Sequence, residues 1–376
     1  MDPSSLIGPP SPLGYPAPYW FMAGLKVLGF VLHMIPMNLW FAGILVALLL
    51  RRWGGEHARR LSDRLMSQMP ILIALGINFG IVPLLFTQVA YHRVFYPATI
   101  LMGWFWFSIV GLLVVAYYGV YVYAVGLRGG RLRPLHAAAG WTAAVLFVVM
   151  GFIFSHAFTL MVNVEAWPGI LERTAVAGAP TGTALNVGDP QVLPRWLMVF
   201  GLALTTTAAY AIVDAAFFAA REPEAYRRWI ARFALGLYTV GMGWFATAGS
   251  WYAFGTWIPE VRALMFGPLV LLTALTALGP GLVWALVAAQ RRGVQRRMAL
   301  AAAAAQVAVL ALNGVSRQVV QNAELRRFLD VAAGRVEVQW SPLVLFVVLF
   351  VAGLAVAAWM VVQALRAAQR PAAARG

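Results

Sequence analysis

Nine apolar runs follow one another along this chain, and arginine collects in every second link between them. The runs fall at 19–50, 69–90, 98–126, 137–163, 193–219, 230–254, 266–290, 297–315 and 341–365. Each is long enough to cross a hydrocarbon core of roughly 30 Å at about 1.5 Å per residue. They are rich in Leu, Ala and Val and much longer than the roughly ten residues of a barrel strand, so helices are expected. Arg51, Arg52, Arg59, Arg60 and Arg64 follow the first run, and Arg128, Arg131 and Arg133 the third. Arg221, Arg227, Arg228 and Arg232 follow the fifth, Arg291, Arg292, Arg296 and Arg297 the seventh, and Arg366, Arg370 and Arg375 the ninth. The alternate links hold only Arg93, Arg173, Arg195, Arg262, Arg317, Arg326, Arg327 and Arg335. Since arginine-rich links face the cytoplasm, this alternation predicts an all-α integral membrane protein: a nine-transmembrane-helix bundle, N-out/C-in. The expected organisation is an outer N-terminal segment at 1–18, a transmembrane domain at 19–366 and a cytoplasmic tail at 367–376.

Composition agrees. Charged residues make up 11% of the chain, against about 25% for a soluble domain, too few to cover a surface facing water. The net charge of +15 sits in short clusters between apolar runs, the pattern of links beside anionic lipid rather than of a nucleic-acid surface. With no cysteine, disulfides, thiolate zinc sites, iron–sulfur clusters and covalently attached haem are excluded within the chain. Met1 to Pro18 lack the basic start of a cleavable signal peptide.

Charged or titratable groups inside spanning helices are costly, so each needs a role. Lys26, His33, His92, His156, Asp214 and Arg317 stand out. Counting at about 1.5 Å per residue, His33 lies about 27 Å from Arg51, His156 about 34 Å from Arg133 and Arg317 about 30 Å from Arg297. These groups, with His92, Met198 and Met265, therefore gather at the outer edge. Lys26, His33 and Trp40 recur every seven residues as one stripe. An imidazole flanked by Trp40 and Met37 suits an axial haem ligand, although spacing alone favours a histidine hydrogen-bonded to a neighbouring helix. His156, between Phe154 and Phe158, admits the same two roles. Met198 and Met265 admit thioether ligation or plain apolar packing. Asp214 suits a proton path or a polar partner. His57 and His136 fall in or beside arginine-rich links. No phosphate-cradling glycine loop or HExxH pair occurs, and no inverted repeat suggests a transporter.

Five short stretches fall in a telling order. They are Leu32-His33-Met34-Ile35-Pro36 on the first helix, Gly76-Ile77-Asn78-Phe79-Gly80 on the second, and Leu193-Pro194-Arg195-Trp196-Leu197-Met198 opening the fifth. Arg262 and Met265 open the seventh, and Gly314-Val315-Ser316-Arg317-Gln318 sits at the outer end of the eighth. This layout resembles subunit I of the cytochrome bd quinol oxidases, most specifically in the Gly-Ile-Asn-Phe stretch. The resemblance implies a haem-binding nine-helix fold, with His33 as the ligand of a high-spin haem and Met265 as a ligand of a low-spin haem. The sequence departs from that family in four places. Met198 stands where the family has a second low-spin ligand, histidine, and Asn313-Gly314 where it has a carboxylate ligand. The third helix has no acidic residue, and the link between helices six and seven is too short for the family's quinol-binding loop.

The function implied is a membrane-embedded, b-type cytochrome-like subunit of a respiratory complex in the bacterial inner membrane. It would move electrons between quinol and a periplasmic redox partner such as a c-type cytochrome, alongside other membrane subunits. The candidate metal ligands are His33 and His156, with Met198, Met265, Arg317 and Lys26 as further cofactor-binding residues for haem b, and with quinone as a second cofactor. A haem-poor structural or assembly subunit is the alternative, and a divergent quinol oxidase a third reading. If catalytic, the chain would be a quinol-linked oxidoreductase subunit.

Overall fold

The computed structural model describes residues 1–369. Helix dominates, because in runs this apolar each backbone N–H and C=O is best satisfied within its own segment. In chain order the helices are α1 (Tyr19–Trp53), α2 (Glu56–Ala90), α3 (His92–Leu101), α4 (Gly103–Arg128), α5 (Pro134–Leu160) and α6 (Trp167–Thr174). They continue with α7 (Val192–Phe218), α8 (Glu224–Gly255), α9 (Pro259–Phe266), α10 (Val270–Ala289), α11 (Arg296–Leu325) and α12 (Trp340–Gln369).

Among the described residues, eight helices are long and apolar enough to cross a membrane: α1, α2, α4, α5, α7, α10, α11 and α12. The remaining expected span, the sixth at 230–254, corresponds to α8. It is helical over 32 residues, but Arg227, Arg228 and Arg232 at its start and the Gly, Ser and Thr of its second half make it more polar than the rest. Of the expected tail, Arg370 and Arg375 lie outside the described residues.

Several boundaries differ from expectation. α2 begins at Glu56 rather than 69, so Arg59, Arg60 and Arg64 sit on a helix instead of in a link. α11 continues past 315 to Leu325. The predicted start of the third span at 98 falls inside the separate helix α3, which the backbone breaks at Tyr91 and Met102 set off from α2 and α4. Residues 164–192 hold α6 and a two-residue hairpin of β1 (Ala175–Val176) and β2 (Ala179–Pro180).

The main core runs through the middle of the bundle and draws on α1, α2, α4, α5, α7, α8, α10 and α11. Two π-helical turns interrupt it, Leu39–Gly43 within α1 and Asp214–Phe218 at the end of α7; such turns recur at functional sites. A second core, remote from the arginine-rich links, joins α3, α6 and the end of α11 to the N-terminal segment. Tyr15 fixes that segment. Its hydroxyl lies 3.1 Å from the carbonyl oxygens of both Ala90 and Val331, and its backbone pairs with Arg335 and Glu337. The most apolar stretch of α12 has no buried residue. Its described contact with the bundle includes Phe346, edge-on to Phe86 at 5.1 Å.

Candidate functional site

The site is built on the facing surfaces of α1 and α2. Gly76 and Gly80 stand one helical turn apart on α2, so they open a shallow groove on one face. A Cβ on Gly76 would lie 2.5 Å from the Trp40 ring, and one on Gly80 would lie 2.9 Å from His33 Nδ1. The two glycines thus seat Trp40 and His33, two members of the α1 stripe, and the Trp40 ring meets the His33 ring edge-on at 6.1 Å. This gives the Gly-Ile-Asn-Phe-Gly stretch a physical role: its small residues let the imidazole reach the α2 backbone.

There, His33 Nδ1 lies 2.8 Å from the Gly76 carbonyl oxygen. A carbonyl can only accept, so Nδ1 carries the proton and donates it. The other ring nitrogen, Nε2, is therefore the bare, lone-pair side. His33 is half-buried, and Nε2 has no hydrogen-bond partner among the described residues. An imidazole oriented through one nitrogen by a backbone carbonyl, with the other left free, is the arrangement that metal-ligating histidines adopt.

Helix α5 faces this part of α1. Trp40 stacks on Phe147 at 5.5 Å, and Arg317 of α11 bridges turns further from the arginine-rich links, its guanidinium 4.9 Å from the Phe30 ring and 4.7 Å from the Phe158 ring. In this antiparallel register His33 comes level with Phe154 and Ser155, next to His156. Along the helix axes His33, His156 and Arg317 therefore fall at a similar height, and the ring that His156 meets is that of Phe152, itself edge-on to Trp196 of α7. His156 is fully enclosed, its ring 4.5 Å from that of Phe152, and neither ring nitrogen has a partner. A buried imidazole must present one N–H, so this orphan calls for an explanation. Arg317 makes no ion pair or hydrogen bond among the described residues; its contacts are the two aromatic faces.

Lys26 lies nearby but is better satisfied. Its ammonium donates to Gln321 Oε1 at 3.0 Å and sits 4.1 Å from the Tyr91 ring centre. Around it Tyr19, Tyr91, Gln318 and Asn322 form a closed hydrogen-bonded set, with Tyr91 donating to Asn322 Oδ1 at 2.6 Å and Asn322 Nδ2 donating to Tyr19 at 2.7 Å. Gln318 Nε2 also donates to Tyr91. Glu324, one turn further on, accepts from Gln191 Nε2 at 2.8 Å, while its second oxygen is buried without a partner. Sequence reasoning missed this polar set because it ended the helix at 315. The signal was present in the i,i+4 spacing of Arg317 with Gln321 and of Gln318 with Asn322.

The methionines fall elsewhere. Met265 is 1% exposed, in a small cluster with Tyr252, Trp257, Val261 and Val320, and half-buried Met198 packs on the same cluster. Gly249 faces Met198, where a Cβ would lie 3.6 Å from its sulfur. That cluster has two thioethers and no imidazole. Asn313, at the position of the missing carboxylate, is buried. His92 packs edge-on to Tyr15 at 6.4 Å, near the N-terminal segment.

Asp214 belongs to the opposite, arginine-rich end, where it has a polar partner. Arg64 donates to both of its oxygens at 2.8 Å, and Gln68 adds a longer contact at 3.3 Å. Tyr210 donates to Gln68, and Arg60 pairs with Glu222. Such a fork is the strong geometry for an arginine and a carboxylate, and it ties α2 to the π turn of α7.

No protein-family model matches the chain, and no curated protein matches it in sequence. Among solved structures the chain is similar to a chain of the bd oxidase from Geobacillus thermodenitrificans, with a TM-score of 0.63 and 14% identity over 94% of this chain and 99% of that one. At that identity the likeness shows a shared fold, a bd-oxidase-like helical bundle, running nearly end to end in both.

Proposed function

We propose that this chain is a membrane-embedded, b-type cytochrome-like subunit of a respiratory complex, carrying electrons between quinol and a periplasmic redox partner such as a c-type cytochrome. In this reading it sits in the bacterial inner membrane with nine spans, α8 included, N-out and C-in, next to other membrane subunits. The observation that carries the reading is the hydrogen bond from His33 Nδ1 to Gly76, which leaves the Nε2 lone pair oriented and free at the level of an arginine with no anionic partner among the described residues.

The residues at this level fit a haem b. His33 would hold the iron through Nε2, and His156, whose buried ring nitrogens lack partners among the described residues, would be the second ligand. Arg317 and, behind its hydrogen bond, Lys26 would face the propionates, whose charge would neutralise cations that the protein itself leaves unpaired. Bound there, haem b would supply one-electron carriage. The protein's part is to fix the imidazole tautomer, wall the site with Trp40, Phe30 and Phe158, and exclude water. Met198 and Met265 share an apolar cluster that holds no imidazole, and packing is the role we assign to that pair. The test is a pyridine haemochrome assay on the purified chain, which should report haem b, and on the His33→Ala variant, which should lose it.

A second reading, a haem-poor structural subunit, draws on the closed methionine cluster and on Asn313 in place of a carboxylate. It predicts a purified protein with no Soret absorbance and an unchanged complex when His33 is replaced.

A further inference from the structure

At the arginine-rich end, a pocket of about 410 Å³ opens between the start of α8 and the turn after α10. His57, Arg228, Trp229, Arg232, Arg291 and Arg292 line it, and no acidic residue does. Among the described residues, Arg228 alone of these has a carboxylate partner, Glu224, at 3.7 Å. Arg232, Arg291 and Arg292 make no ion pair or side-chain hydrogen bond among the described residues. The turn is held in place rather than free: Arg227 donates to the Ala215 carbonyl at 3.1 Å and the Val294 carbonyl at 3.3 Å, tying the end of α7 and the turn to the first turns of α8. The pocket wall is also fixed, since Trp229 stacks on Phe233 at 5.3 Å and His57 packs against Trp229 and Tyr226. Finally, His57 Nδ1 is buried with no partner.

Charge selection for inward-facing links explains why arginines lie on this side. It does not explain why arginines from two separate links converge on one concavity without a carboxylate, at the cost of mutual repulsion. A bound anion offsets that cost, and guanidinium forks match phosphate oxygens in geometry. We propose that this pocket is a binding site for a phosphate group, supplied either by the headgroup of an anionic phospholipid or by a free diphosphate. The inference is independent of the haem reading.

The full chain, purified in detergent, would be titrated with dioleoylphosphatidylglycerol and dioleoylphosphatidylcholine by native mass spectrometry, and with inorganic pyrophosphate by calorimetry. Three proteins are compared: the wild type, an Arg291→Gln/Arg292→Gln double variant, and an Arg128→Gln/Arg131→Gln double variant that removes equal charge from another link. The expected result is binding of phosphatidylglycerol, at least tenfold weaker in the Arg291/Arg292 variant and unchanged in the Arg128/Arg131 variant. The same pattern with pyrophosphate instead identifies a soluble ligand. Equal weakening by both variants, no preference for phosphatidylglycerol over phosphatidylcholine together with no pyrophosphate binding, or binding indifferent to Arg291 and Arg292 would overturn the site.

Discussion

His33 donates its Nδ1 proton to the Gly76 carbonyl across 2.8 Å, and the α2 backbone thereby decides which imidazole nitrogen remains free. The contact exists because α2 offers no side chain at either glycine. A Cβ at Gly80 would fall 2.9 Å from that same nitrogen. Gly80→Ala should therefore displace the ring and weaken the hydrogen bond while leaving the bundle folded. The expected readout is lower haem content with an unchanged far-UV circular dichroism spectrum.

Gly76 should respond differently. Its Cβ would lie 2.5 Å from Trp40, a ring packed into the main core beside Phe147. Overpacking of this kind costs about 1–3 kcal/mol, so Gly76→Ala should lower the thermal midpoint in detergent more than Gly80→Ala does.

The pair of Arg64 and Asp214 was only half legible. A lone intramembrane aspartate was visible from sequence, but its partner lies 150 residues away on a stretch of α2 that arginine density made look like a link. Long-range partners of this kind leave no local pattern to read. Asp214→Asn would leave the guanidinium with only its longer contact to Glu222, at 3.8 Å, in a mostly closed site, where the side chain of Asp214 is 1% exposed and that of Arg64 22%. Breaking such a pair costs about 3–5 kcal/mol. Replacing both, as Arg64→Met with Asp214→Leu, should recover most of that loss, and thermal unfolding of the wild type and the two variants checks it.

Helix positions were readable because apolar length and arginine alternation are properties of single segments, and the remoteness of His33 and Arg317 from the arginine-rich links followed from counting residues. The tautomer of His33, the aromatic clamp on Arg317 and the seclusion of Met265 depend on what the neighbouring helix presents. Composition of α8 shows the converse case: it is helical over the expected stretch, yet its polarity sets it apart from the eight spans.

Tyr15 offers a test away from the site. Its single hydroxyl proton is shared between two carbonyls, those of Ala90 and Val331. Tyr15→Phe leaves both short of a donor, at a cost of about 1–3 kcal/mol for buried groups. Faster proteolysis of the N-terminal segment, with helical content unchanged, is the expected outcome.

Arg317 bears on the redox reading itself. A positive charge beside a haem favours the reduced form, so Arg317→Gln should move the midpoint potential in the negative direction by tens of millivolts, on the order expected for one partly screened charge. Potentiometric titration of the purified chain measures the shift.

The central claim, that His33 ligates a haem, is tested most directly by the pyridine haemochrome spectrum of the purified wild type beside that of His33→Ala. Haem b in the wild type and its loss in the folded variant is the predicted result. A wild type without haem, or a variant that keeps the full haem content and an identical spectrum, would contradict it.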